Sequence, residues 1–230
     1  MNKNSKILFF YRANCKHSNK MLQELKKYTN NITKLVSIKP NQKIPQKIFR
    51  WKGEYIFSFR SYYILPMAII NKAKVAAINF HPGTPEYRGI GCTNFAILNS
   101  AKFFGSTCHK ISKKIDNGKI INVERFPIRK NDNINSVLQK TYNIQVGQFK
   151  KLVLNLYKDE KNLKIMIKKS QKESWSKRKY TRKELNELYK LNNYLNNNHL
   201  QKYLRATVTK KFSPYLEFEG KKYFLSYEKR

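Results

Sequence analysis

The sequence predicts an α/β fold built on an open, mostly parallel sheet, and three observations carry that expectation. Short apolar runs recur at residues 6–11, 32–38, 55–59 and 75–80. Segments with helical spacing or helix-start signals separate them, with Met21, Leu22, Leu25 and Tyr28 on one face of the first and Pro66 opening another. A long periodic segment at 135–157 then carries Val137, Leu138, Ile144, Phe149, Leu152, Val153 and Leu156 mostly on one helical face. Strands alternating with helices need crossover connections, and crossovers cover both faces of a parallel sheet.

In chain order, 6–11, 18–28 and 32–38 form a βαβ opening. The run at 55–59 is a third strand, a helix runs from Pro66 to Lys72, and 75–80 is a fourth strand. Residues 119–123 read as a further strand, and the 135–157 helix, with Gly147 as its weak point, closes the core. The arrangement is Rossmann-like. Beyond about residue 160 the character changes. Residues 175–180 are a basic-aromatic linker, Thr181-Arg182-Lys183-Glu184 is a capping box opening a helix through Leu191, and an Asn-rich patch covers 192–198. Tyr215-Leu216-Glu217-Phe218 and Tyr223-Phe224-Leu225 around Gly220 read as a hairpin, which in isolation is marginal in water and needs a surface to pack on. The expected division is a main domain at 1–165 and a small helix-plus-hairpin appendage at 166–230.

No run of about 18 apolar residues occurs, and the opening Met1-Asn2-Lys3-Asn4-Ser5-Lys6 lacks a signal-peptide cleavage pattern, so the expectation is a cytoplasmic protein with no membrane partner. Three cysteines, Cys15, Cys92 and Cys108, support neither a disulfide framework nor a zinc site, and no metal is expected. The formal charge of +34 attracts polyanions in general. Most of the excess is lysine accompanied by abundant Asn and Ile, a bias that coding preference also produces, so the charge has two readings.

The densest chemistry lies in Asn79-Phe80-His81-Pro82-Gly83-Thr84-Pro85-Glu86-Tyr87-Arg88-Gly89, with Gly105-Ser106-Thr107-Cys108-His109 and Ile115-Asp116-Asn117-Gly118 after it. Asn79 and His81 are two apart at the end of a strand, so they share a face, and the Pro-Gly turn leaves both beyond its carboxyl end, where open α/β sheets bind ligands. Asp116, in a second loop, can fold back to meet them. These groups suit passage of an acyl carbon between two nitrogens. An amine attacking a formyl carbon creates negative charge on oxygen, which the Asn79 amide or a protonated His81 can bind, and a proton on nitrogen, which Asp116 can take directly or through water; Asp116 can instead favour the charged imidazole, and His81 can hand its proton to the leaving nitrogen.

The Asn-x-His, Tyr-Arg-Gly, Gly-x-Thr-x-His and Asp-x-Gly blocks resemble those of the folate-dependent formyltransferases over roughly residues 50–160. The family includes glycinamide ribonucleotide, methionyl-tRNA and nucleotide-sugar members. The resemblance implies Asn79, His81 and Asp116 as the catalytic trio and 10-formyltetrahydrofolate as the donor. It also implies a pterin-holding segment at 60–66, with Arg60, Tyr63, Ile64 and Leu65, together with Gly118. His109 and Thr107 match family positions near the aspartate, His109 being either an orienting group or a satisfied core histidine. Two departures stand out: Gly83-Thr84 replaces the usual Ser-Leu, and the glycine that customarily follows the first strand is missing.

For the acceptor, Tyr87, Arg88, Trp175, Arg178 and Arg205 could stack a base and bind phosphate, or could equally be a packed Trp with solvated arginines. The short tail looks more like that of the sugar N-formyltransferases, many of which are homodimers, than like the barrel domain of the tRNA enzymes. The expected acceptor is therefore a dTDP- or UDP-linked amino sugar for surface polysaccharide. The alternatives are methionyl-tRNA, hydrolysis of the donor, or a non-catalytic RNA-binding role for the same fold.

Overall fold

A computed structural model describes residues 1–194, 199–209 and 212–225, so part of the Asn-rich patch, at 195–198, lies outside the described residues. The chain runs through β1 (Ile7–Arg12), α1 (Lys16–Lys26), β2 (Ile32–Ser37), a 3₁₀ turn (Gln46–Arg50), β3 (Gly53–Phe59), α2 (Met67–Ile70), β4 (Ala73–His81) and β5 (Arg88–Gly89). It continues through α3 (Cys92–Leu98), β6 (Phe103–Lys110), β7 (Ile120–Pro127), α4 (Ile134–Lys158) and α5 (Asn162–Lys169). The last part comprises β8 (Lys179–Tyr180), α6 (Arg182–Leu188), a 3₁₀ turn (Leu191–Tyr194), α7 (Leu200–Thr207), β9 (Tyr215–Phe218) and β10 (Lys221–Phe224).

Six strands form one sheet in the order β2-β1-β3-β4-β6-β7. The first four are parallel, while β6 runs antiparallel to β4 and β7 antiparallel to β6. Alternate residues serve opposite faces, as the two-residue period requires. Phe9, Phe57, Ile78 and Phe80 pack with Met21 and Leu25 of α1 and Phe149, Leu152 and Val153 of α4. Leu8, Phe10, Ile56 and Ala77 pack on the other side with Ile48, Tyr63, Ile69 and Ile70. The β1-to-β2 crossover thus lies on one face and the β2-to-β3 crossover on the other, so the winding reverses between β1 and β3.

Local chemistry explains most boundaries. Asn133 and Ser136 form a capping box at the start of α4, and the helix passes through Gly147 because that position is open and the neighbouring Phe149 anchors the helix. Thr181 and Glu184 cap α6, which stops at Leu188 rather than Leu191 because a 3₁₀ turn takes over. The helix after Pro66 is one turn, ending at Ile70, since Lys72 already leads into β4. Three helices, α3, α5 and α7, have no counterpart among the sequence expectations; at seven or eight residues each they are too short for a clear period.

α5 crosses residue 165, and beyond the buried Leu163 its Met166 and Ile167 pack against the main core, so packing continues past the expected division. Farther on, Tyr180 stacks on Phe95 with ring centres 4.1 Å apart, and Ala206 is buried with Cys92, Ala96 and Phe104. The hairpin β9–β10 is tied down by Tyr215 N–H to the Tyr189 carbonyl at 2.9 Å and by two bonds between Asn192 and Glu217. Its Phe218 and Phe224 are each 65% exposed. No helix among the described residues is long and apolar enough to cross a membrane, and all three cysteines are free and buried.

Phe149 sits at the centre of the aromatic core, its ring centre 5.3 Å from that of Phe80, 5.4 Å from Phe57 and 6.1 Å from Phe9. Phe149→Ala should cost about 3–5 kcal/mol, the usual range for emptying a closed aromatic site. A loss of unfolding free energy in urea of less than about a third of that would mean that the core collapses around the gap.

Candidate active site

Sheet register assembles the polar cluster. Asn79 lies opposite Ser58 of β3 and His109 of β6, and His81 lies opposite Thr107. Because β6 is antiparallel to β4, residues near its carboxyl end meet Asn79. The Asn79 side chain and the His109 ring, Nδ2 to Nε2, are 3.2 Å apart. His109 Nδ1 lies 2.8 Å from the Lys110 carbonyl, which can only accept, so Nδ1 carries the proton and Nε2 accepts from the Asn79 amide. The second N–H of Asn79 is left for a ligand.

Asp116 closes the cluster. Its Oδ2 is 3.3 Å from His81 Nδ1 and its Oδ1 is 3.6 Å from His109 Nε2. Its backbone is left-handed, at φ +47°, a conformation Asp tolerates but that must be held. Two donors from elsewhere hold the loop: Arg88 Nη2 to the Ile115 carbonyl at 3.2 Å, and Trp175 Nε1 to the Gly118 carbonyl at 2.8 Å. The Trp175 ring also stands edge-on to both imidazoles, 5.0 Å from His109 and 5.7 Å from His81. Gly118 itself packs so tightly on the Lys110 carbonyl that a Cβ there would lie 1.7 Å from its oxygen.

His81 is 3% exposed, and both of its ring nitrogens are engaged. Nε2 is 2.9 Å from the Tyr87 carbonyl, so it donates there, and Nδ1 faces Asp116. Burial alone would push the imidazole down, but the Asp116 charge, with Cys92 and the Tyr87 carbonyl, raises it from 6.5 to about 9. Burial would likewise raise Asp116, yet the charge of His81 above all holds it down at about 2. The resting pair is an imidazolium and a carboxylate. The turn after His81 is pinned by Thr107 Oγ1 to the Gly83 carbonyl at 2.8 Å. A Cβ on Gly83 would come within 2.8 Å of His81 Nε2, so glycine lets the turn close on the ring.

A cavity of about 220 Å³ opens on this cluster, lined by Asn79, His109 and Asp116 on one side and by Tyr63, Ile64 and Leu65 on another. His81 does not line it; it stands behind Asp116. Among the described residues, the backbone N–H groups of Ile64 and Leu65 take no protein partner. Arg60 is directed away, its guanidinium 3.6 Å from the centre of the Tyr142 ring, and it lines a different cavity.

The remaining expected residues are placed as follows. Tyr87 packs between Phe104 and Tyr180, and Arg88 donates through Nη1 and Nη2 to the Ser176 and Ile115 carbonyls. Arg178 pairs with Glu184, and Arg205 donates to the Asp132 and Arg129 carbonyls, bracing α7. Sequence reasoning missed Ser58, Lys113 and Lys114 in the cavity wall, and Cys92 with its Sγ 3.6 Å from His81 Nε2. Ser58, the one polar residue inside the apolar run 55–59, was a readable signal. Among the described residues no group of three or more His, Cys, Asp or Glu is arranged to hold a metal ion.

The family described as Formyl transferase matches residues 38–153. A methionyl-tRNA formyltransferase of Pediococcus pentosaceus is 35% identical over 77 residues, which is 33% of this chain and 24% of that protein. The match thus spans about a quarter of that curated relative's length. Among solved structures, a 4-N formyltransferase from Francisella tularensis superposes with a TM-score of 0.74 at 20% identity, covering 97% of each chain. An N-formyltransferase from Helicobacter canadensis, in complex with folinic acid and dTDP-3-aminofucose, superposes with a TM-score of 0.68 at 18% identity, covering 96% of this chain and 86% of that one. At these identities the structural likeness establishes the fold.

His81 binds its proton more tightly folded than unfolded, so its contribution to stability is complete below 6.5 and is lost as pH rises through about 9. Asp116 contributes above 3.8 and loses that contribution as pH falls through about 2. Urea unfolding from pH 6 to 10 should show stability falling across the His81 titration. In Asp116→Asn the largest influence raising His81 is gone while the burial penalty remains, so its ring protons should titrate well below 9 by NMR and that fall should shrink.

Proposed function

The chain belongs to the formyl transferase family, and from that premise we propose that it moves a formyl group from 10-formyltetrahydrofolate to the amine of a nucleotide-linked amino sugar. The observation that carries the transfer is the convergence of Asn79, His109 and Asp116 on one cavity whose opposite wall is the 63–65 segment. The donor fits that wall: the free N–H groups of Ile64 and Leu65 can meet the polar edge of a heterocycle, and Tyr63 and Ile111 flank its faces. Bound there, the donor supplies a formyl carbon attached to nitrogen.

The free N–H of Asn79 binds the formyl oxygen as negative charge develops on it. The acceptor amine forms the new C–N bond and gives up a proton to Asp116 Oδ1, the oxygen not committed to His81. That proton then passes to the departing donor nitrogen as the old C–N bond breaks. The His81 imidazolium keeps Asp116 ionised and oriented, and it acts through Asp116 without touching the reacting atoms. Trp175 and Arg88 hold the aspartate loop in its left-handed turn.

The amino-sugar reading is supported by the extent of the fold match, which runs through the segment after residue 165 and includes the Helicobacter canadensis enzyme bound to dTDP-3-aminofucose. In this reading the 166–230 segment completes the acceptor side, surface polysaccharide is the destination, and the chain works in the cytoplasm. A second reading, methionyl-tRNA as acceptor, draws support from the sequence relative in Pediococcus pentosaceus and from the charge of +34. Incubation of the protein and donor with dTDP- and UDP-amino sugars or with methionyl-tRNA, followed by mass spectrometry, separates the two. No gain of 28 Da, roughly one CO, on any sugar, with gain on the tRNA, would overturn the first.

Asn79→Ala should lower kcat by about 10²–10³, the usual cost of one oxyanion donor. Activity should fall as pH rises through about 9, where His81 loses its proton. Trp175→Phe keeps an aromatic edge but removes the bond to Gly118; kcat should fall while the urea midpoint holds. A kcat within a factor of two of wild type would show that Arg88 alone secures the loop.

A further inference from the structure

α4 covers one face of the sheet behind the catalytic strands, and two residues of its buried side break the apolar stripe. Between Val137 and Leu152 lie Gln145 and Gln148, only 0% and 2% exposed. Phe80 faces the helix, its ring centre 5.3 Å from that of Phe149, so by alternation Asn79 and His81 project from the other face, where Asp116 and the cavity are. Neither glutamine lines the cavity, and the reaction described above leaves both unused.

Both reach the backbone of the site from behind. Gln145 Nε2 donates at 3.0 Å to the Phe80 carbonyl, in the peptide that joins Phe80 to His81. Gln148 Nε2 donates at 3.1 Å to the Ser106 carbonyl, in the peptide that joins Ser106 to Thr107, and at 2.8 Å to Asn122 Oδ1. Ser106, itself fully buried, donates its hydroxyl to the His81 carbonyl at 3.0 Å. The peptides on both sides of His81 are thus gripped, as is the one before Thr107, whose own hydroxyl pins Gly83. The arrangement lowers stability, because among the described residues the Oε1 atoms of both glutamines are buried without a donor. Packing against Phe149 and Leu152 alone would favour an aliphatic side chain. A neutral amide also suits the place better than lysine or arginine, whose charge behind the His81 imidazolium would oppose it.

The geometry points to Gln145, Gln148 and Ser106 as positioning residues, a clamp on the back of the sheet that aims His81 at Asp116. With the backbone fixed before and after the imidazole, Nδ1 is delivered opposite Asp116 Oδ2, and the carboxylate in turn is aimed for the reaction. α4 is therefore more than a cover for the core: its two amides tie the place of the catalytic pair to the helix. The consequence for rate rests on the proposed function; the hold on His81 does not.

NMR titration of the His81 ring in the full chain tests the clamp. The titratable groups that face the ring are Asp116 of the 111–119 loop and Cys92 of α3, with His109 beyond Asp116. Neither glutamine ionises, so a changed titration reports a changed position. In Gln145→Met/Gln148→Met, similar in length but without the donors, the midpoint should fall from about 9, the ring holding its proton at least about three times more weakly. The urea midpoint should hold or rise, because two orphaned oxygens have gone. A role in packing alone predicts the reverse, lower stability with an unchanged titration. Where the donor and an acceptor are turned over, kcat should fall about tenfold or more with KM for both unchanged. Ser106→Ala, which removes a single oxygen, serves as the test if the double variant does not fold in a thermal melt. An unchanged or raised His81 midpoint in the folded variants overturns the clamp. A lowered midpoint in a protein that formylates nothing keeps the clamp and removes the proposed function.

Discussion

The buried contact between His81 and Asp116 is the constraint on which the rest of the site depends. A carboxylate withdrawn from water is costly unless a charge faces it, and so is an imidazolium. Here each lowers the cost of the other, with Oδ2 and Nδ1 3.3 Å apart. The pair works only if both backbones are held. β4 and its register with β6 fix His81, and the Pro82-Gly83 turn is closed by Thr107. Asp116 sits in a loop with a left-handed turn and relies on Arg88 and Trp175 for its position.

That reliance explains why the segment after α5 belongs with the site. Arg125 binds both Glu173 and Glu86, and Ser176 N–H meets the Pro85 carbonyl at 3.1 Å. These contacts lay residues 173–176 across the loop after His81, which is what brings the Trp175 edge against both imidazoles. The aromatic stack of Tyr180 on Phe95 then continues the attachment along α3. A residue that reads in sequence as part of a linker packs against both histidines and braces the aspartate loop.

The charge balance gives the few acids unusual weight. With 14 acidic residues against 48 basic ones, a carboxylate is the scarce partner, and the acids are placed where structure needs them. Asp132 pairs with Lys140 and accepts from Arg129 N–H, Glu184 caps α6, and Glu86 and Glu173 share Arg125. Against that background, two arginines that lead out of adjacent strands without an acid stand out more than any number of solvated lysines. Lysines such as Lys27 and Lys151 extend largely into water, and their exposed pairs with Glu24 and Glu124 contribute little.

The sequence by itself determined the parallel half of the sheet, the long closing helix, the terminal hairpin and the identity of the groups that meet. Apolar period, Gly/Pro punctuation and capping residues are local signals, and a strand end such as Asn79-Phe80-His81 declares its own face. Tertiary structure alone decided which groups face the cavity. Whether His81 or His109 is exposed to a ligand depends on the β4–β6 register and on where the 111–119 loop folds, and no local pattern records either. The same holds for Trp175, Arg60 and Arg205, whose partners lie dozens of residues away. A long side chain's destination is set by what packs around it, so composition can suggest an aromatic or a cation near a ligand but only the assembled fold places it.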